Sequence, residues 1–171
     1  MHRTLLLAQQ VNSLLDGLVW AIGGSVLLYR LGIEPEPNDL DIVTTKRDFR
    51  FVCRRLEARY GACVRPSDTF ELSSHFARFD RHPLCNIDLM AGIERQGSAT
   101  TKSFTLNRRK IEVVDNLPWM TAGDWMEIYS IFDRPRRLHQ LEEYFERSAA
   151  ERSISNLPGR VSDLSKQRGS A

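Results

Sequence analysis

The chain has 171 residues, 42% of them hydrophobic and 27% charged, with a net charge of +2. That length suits a single domain with a sizeable core rather than two domains. No apolar run approaches the ~20 residues that span a bilayer, and the run 5–8 is too short for the apolar centre of a signal peptide, so a cytoplasmic protein without a membrane partner is expected. Three cysteines, Cys53, Cys63 and Cys85, lack CxxC spacing and four histidines lack a ligand pattern, so neither a disulfide framework nor a zinc site is expected.

Leu7, Val11, Leu14, Leu15 and Leu18 recur at helical spacing, which predicts an amphipathic helix over 4–16 closed by Gly17. A buried strand over 18–22 follows. Gly23 and Gly24 let the backbone turn tightly, and the Ser25 hydroxyl is placed to cap a helix over 26–31 that Gly32 ends. The loop 32–38 is stiffened by Pro35 and Pro37. It leads into a strand carrying Asp39-Leu40-Asp41-Ile42, where the two carboxylates point to one face and Leu40 and Ile42 to the other.

Thr45 and Asp48 resemble a capping box for a helix whose inner face is Phe49, Val52, Cys53, Leu56 and Tyr60 and which stops at Gly61. Segment 46–59 holds six basic residues against two acids. Its outer face could meet a phosphate-rich ligand, although such a face is more often simply solvated. Over 62–80 short strands are expected, with Phe70, Leu72 and Phe76 alternating and Phe79 breaking the phase as a bulge would. Residues 85–91 read as another strand, with Ile87 and Leu89 on one face and Asp88 on the opposite one.

Phe104 and Leu106, then Ile111 and Val113, flank 107–110 as the arms of a hairpin. Asp124 and Glu127 have N-cap and third-position spacing for a helix through Trp125, Ile128, Tyr129 and Phe132. Pro135 suits the first turn of a last helix with Leu138, Leu141, Tyr144 and Phe145 inside. The domain is expected to span 1–147 and a flexible polar tail 148–171. Trp119, Trp125 and Tyr129 read as core. Arg54, Arg55, Arg134, Arg136 and Arg137 read singly as solvated, with some of the group facing a nucleotide or an RNA acceptor.

Phosphoryl and nucleotidyl transfer gathers negative oxygens in one place, so catalysis is mostly positioning and charge neutralisation. Mg²⁺ prefers oxygen ligands and is commonly held by a few carboxylates plus substrate phosphates. Asp39 and Asp41 supply such oxygens from one strand face, and Asp88 completes the set if its strand lies alongside. Gly24 and Ser25, opening a helix, would cradle the terminal phosphates.

Gly23-Gly24-Ser25 followed after thirteen residues by Asp39-Leu40-Asp41-Ile42 resembles the signature of the DNA-polymerase-β-like nucleotidyltransferase superfamily. Gly24-Ser25 with Arg30 resembles the G-S-x-x-x-x-R form of that motif, and Asp88 in NIDLM is placed as its third carboxylate. The resemblance covers residues 5–91. It implies an α/β (α+β) nucleotidyltransferase fold: a mixed sheet with helices packed mainly on one face and a C-terminal helical pair. It also implies two Mg²⁺ ions, with Mn²⁺ as a substitute, held by Asp39, Asp41 and Asp88. NMP would pass from an NTP such as ATP to a hydroxyl of a small molecule, tRNA or protein, with Asp88 as the base.

The nucleotide-binding set on that resemblance is Gly23, Gly24, Ser25 and Arg30, with Ser25 against the triphosphate. DNA is not an expected partner, and a homodimer is left open. Small members of the superfamily include antibiotic nucleotidyltransferases, minimal nucleotidyltransferase antitoxins and AbiEii-type toxins. The toxin-like branch carries a lysine after the third carboxylate, whereas this chain has none between Ile111 and Ser165. The segment 133–137, DRPRR, resembles that branch's later R-P-K-D-like element with arginine for lysine, which is not equivalent in geometry. The alternative function is therefore a catalytically weak member that binds nucleotide or a partner, as in a toxin–antitoxin pair.

Overall fold

The computed structural model describes residues 2–34, 36–64, 72–97 and 100–155. In chain order the elements are α1 (Arg3–Leu14), β1 (Trp20–Ile22), α2 (Gly24–Arg30), β2 (Leu40–Thr44), α3 (Phe49–Tyr60), β3 (Ser73–Phe79) and β4 (Ile87–Gln96). They continue as β5 (Thr101–Phe104), a 3₁₀ turn (Arg108–Lys110), β6 (Glu112–Val114), β7 (Leu117–Trp119), α4 (Ala122–Phe132) and α5 (Pro135–Ser155). The seven strands form one mixed sheet in the order β3-β4-β2-β1-β7-β6, with β5 also paired to β4. β2 and β4 run parallel, as do β1 and β7, and the other pairs are antiparallel. This is the mixed α/β architecture expected.

The core follows from the strand alternation. Leu40 and Ile42 of β2 lie beside Ile87 and Leu89 of β4 in register, and all four are fully buried. α1 adds Leu7 and Val11, and α3 adds Val52 and Leu56, also fully buried. Each such Leu, Ile or Val contributes roughly 1.5–3 kcal/mol by leaving water. α1 packs on α3, β2 and β7; α3 packs on β3 and β4; α4 packs on β4, β5 and α5. Arg55, on the solvent side of α3, donates to the carbonyls of Leu14 (2.9 Å) and Asp16 (2.7 Å), closing the end of α1.

Several local expectations are corrected. Phe79 is not at a bulge: β3 keeps one unbroken register against β4, with Ala77 and Phe79 on its buried face and Phe76 and Arg78 on the other. Ala77 is too small to announce that buried face in a pattern, so the larger Phe76 suggested the wrong phase. Phe70 and Pro35 lie outside the described residues. The hairpin over 107–110 does not form either. Instead β5 pairs with β4, and β6 pairs with β7 across Asp115 and Asn116, both at positive φ (52° and 60°). A two-residue turn of that conformation matches strand twist, and Asp and Asn tolerate it.

The α4 cap is Thr121 rather than Asp124. The Asp124 N–H donates to Thr121 Oγ1 (3.0 Å), while the buried Asp124 carboxylate accepts from Lys110 Nζ (2.8 Å). Thr121 has the extended backbone a cap needs, and Asp124 is the third helical residue after it. α5 runs on to Ser155, past position 147, because Ala149, Ala150, Glu151 and Arg152 are good helix formers without large apolar side chains. Residues 156–171 lie outside the described residues. Among the described residues no helix is long and apolar enough to cross a membrane.

Candidate functional site

Parallel pairing of β2 with β4 sets Asp41 directly beside Asp88, and antiparallel pairing of β3 with β4 sets Arg78 on the other side of Asp88. Three adjacent strands thus present Asp41, Asp88 and Arg78 in one row. Asp39, one residue before β2, joins them at the strand entrance. It lies close enough to feel both Asp88 and Arg78, and its carboxylate accepts from the Asn86 side chain. All three acids anticipated in the sequence are therefore brought together.

The electrostatics of this row are strained. Burial, then the charges of Asp88 and Asp39, push the Asp41 carboxyl up to about 7, against the lowering effect of the Ser25 N–H that donates to it and of Arg78. Burial and the Asp88 charge likewise raise Asp39. Like carboxylates sharing one site cannot all ionise freely. Arg78 offsets part of this. Its Nε donates to Asp88 Oδ1 (2.7 Å) and its Nη2 to Asp88 Oδ2 (2.6 Å), a two-pronged grip on a carboxylate that is only 5% exposed. Cys85, near Asp39, has its thiol pushed up to about 11 by burial, so it is a neutral neighbour rather than a nucleophile.

The glycine turn serves this row by close approach. A Cβ on Gly24, which has φ +58°, would sit 1.7 Å from Asp41 Oδ2; one on Gly23 would sit 2.3 Å from the Trp125 ring. Only glycine leaves room for the Asp41 carboxylate on one side and for Trp125 of α4 on the other. The Ser25 hydroxyl does not cap α2. Gly23 holds the cap position without a side-chain bond, while Ser25, inside the first turn, accepts from the Asn38 N–H (3.3 Å) and donates to the Asp39 carbonyl (3.4 Å). The hydroxyl ties the approach loop to the helix, while the Ser25 N–H donates to Asp41.

Arg30 stands at the other end of α2, with its guanidinium 4.9 Å from the centre of the Trp119 ring and 3.7 Å from Glu112. Arg137, at the start of α5, is bonded to Glu34 in the approach loop and to Gln140 (3.1 Å). Burial raises the Tyr129 phenol, which lies near enough to feel Asp41, Arg137 and Glu34. Trp119, Trp125 and Tyr129 are buried, as core residues should be. Sequence reasoning missed Arg78, Asn86 and the Glu34–Arg137 pair. Arg78 was findable: once Ala77 and Phe79 are read as the buried face, Arg78 must project with Phe76 toward the neighbour of Asp88.

The three carboxylates thus share one patch of the sheet, where the charge of Asp88 raises the proton affinity of Asp39 and Asp41. No family model matches the chain, and no curated protein matches it. Among solved structures, the fold is similar to a provisionally assigned nucleotidyltransferase from Thermotoga maritima, with a TM-score of 0.63 over 86% of this chain and 96% of that one, at 19% identity. The likeness extends to the fold.

Proposed function

We propose that this protein is a metal-dependent nucleotidyltransferase that moves an NMP from an NTP to a hydroxyl acceptor. The observation that carries the reading is the convergence of Asp39, Asp41 and Asp88 beside the glycine turn, with Asp41 pushed up to about 7 by burial and its two neighbours. Such crowding of carboxylates is costly by itself and would be relieved by a cation, and carboxylate oxygens are the donors that Mg²⁺ or Mn²⁺ prefers. When bound, two such ions would neutralise the phosphate oxygens and the leaving pyrophosphate.

Asp39 and Asp41 would present oxygens from one strand face. The acceptor oxygen attacks the α-phosphorus, the bond to the β-phosphate oxygen breaks, pyrophosphate leaves, and Asp88 takes the hydroxyl proton. Arg78 orients Asp88 for that task. Gly23 and Gly24 keep Cβ atoms out of the space between Asp41 and Trp125, and the Ser25 hydroxyl, tied to the approach loop, would turn to the triphosphate when it binds. Arg30, held at the far end of α2 by Trp119 and Glu112, would have to leave these partners to join the nucleotide-binding set. The acceptor is a small molecule, an RNA or a protein.

A second reading draws on the Arg78 grip on both Asp88 oxygens. In that reading the chain binds nucleotide or a partner protein with little transfer. Incubation with each α-labelled NTP and Mg²⁺ in a cell extract separates the two. The enzyme labels one species, and Asp41→Asn loses the label; absence of label with every NTP, in an extract containing the true acceptor, would leave the binding reading.

A further inference from the structure

A second polar cluster lies on α3, away from the carboxylate row. Cys53 and Glu57 are four residues apart, so they stand one above the other on the same helix face. Gly61 ends the helix at φ +87° and turns the chain back, bringing Cys63 to the Glu57 side chain, to which its thiol donates at 3.3 Å. One ligand atom from each of Cys53, Glu57 and Cys63 lies within 4.8 Å of the other two. In a tetrahedral zinc site with bonds of about 2.0–2.3 Å, such atoms are about 3.5–3.8 Å apart. The three ligand atoms therefore already stand near the spacing that such a site needs.

We infer that Cys53, Glu57 and Cys63 form a binding site for one thiophilic divalent cation, Zn²⁺ by its donor set. Two sulfurs and one carboxylate oxygen suit Zn²⁺ and exclude Mg²⁺, which prefers oxygen ligands only. Binding converts both thiols to thiolates and releases two protons, leaving a centre of charge −1. The surroundings favour that anion. Cys53 and Glu57 open on a groove of about 390 Å³ that is also lined by Lys46, Arg50, Arg54 and His75. When a metal binds, a water or a small anion from this groove would complete the ligand set.

The test uses the full chain, reduced and stripped of metal, titrated with Co²⁺ and then Zn²⁺. One equivalent of Co²⁺ should give a thiolate-to-metal charge-transfer band, and Zn²⁺ should displace it. The Asp41→Asn variant should keep the band, because the carboxylate row contains no sulfur. Cys63→Ser and Glu57→Gln should each weaken binding by about a hundredfold or more, beyond what loss of an outer partner costs. Circular dichroism checks that both variants remain folded. No charge-transfer band at equimolar Co²⁺, or an unchanged band in Cys63→Ser, would each overturn the inference.

Discussion

Residues between 39 and 88 build two polar clusters of opposite construction. At the first, strand register presses three carboxylates together and supplies one guanidinium against them. At the second, helix periodicity and a glycine turn bring two cysteines and a glutamate together around a hydrogen bond from Cys63 to Glu57. The first is held against its own electrostatic preference by surrounding packing; the second is satisfied as it stands. Groups held in strain by a rigid frame mark the place where a charge is meant to arrive.

The largest break in this contrast is expected from Asp41→Asn, which should take nucleotidyl transfer to background in the labelling assay. The same variant should be more stable than wild type above pH 7 in chelator. The sign follows from the raised carboxyl: between about pH 4 and about pH 7 the folded chain keeps a proton on Asp41 that the unfolded chain has lost, so this group's support for folding declines across that window. Thermal midpoints measured at pH 5 and pH 8 check it. A variant less stable than wild type at pH 8 would contradict the strain argument.

Next in size is Gly24→Ala, with a backbone at positive φ and a new methyl driven into Asp41 Oδ2. A loss of about 3 kcal/mol in urea unfolding is expected, from backbone strain and overpacking together. Arg78→Gln should cost about 2 kcal/mol, because a nearly buried carboxylate loses a charge-assisted partner. If Arg78 mainly orients Asp88, Arg78→Gln also lowers kcat more than it raises KM. The smallest effect is expected from Cys63→Ser in chelator, within about 0.5 kcal/mol and with transfer unchanged, since a hydroxyl can donate to Glu57 as the thiol does. A loss of transfer in that variant would join the two clusters into one site.

The carboxylate row was largely legible because its parts are written in short-range patterns. Two acids two apart must share a strand face, and an acid between Ile87 and Leu89 must oppose them. What could not be read was the pairing: nothing local says that β2 lies parallel to β4 at a register setting Asp41 beside Asp88. Arg78 stayed hidden for the same reason, compounded by small Ala77 on the buried face. The Cys53, Glu57 and Cys63 cluster fits no ligand spacing because its third member arrives through a turn at Gly61, and turn direction is tertiary information. The β6–β7 hairpin was missed where a local signal did exist, since Asp115-Asn116 is a recognisable two-residue turn outweighed by the apolar residues around 107–110.

The Glu34–Arg137 pair joins positions 103 apart in the chain, fastening the loop that delivers Asp39 to the first turn of the last helix. The consequence is modular. The C-terminal helices cannot be exchanged as an independent cassette for those of another protein of similar fold unless an equivalent cation is kept at 137, because the graft would also unfasten the approach to the acids. Variation in the last helix is thereby coupled to the geometry of the strand entrance, and the two should change together in engineered descendants of this chain.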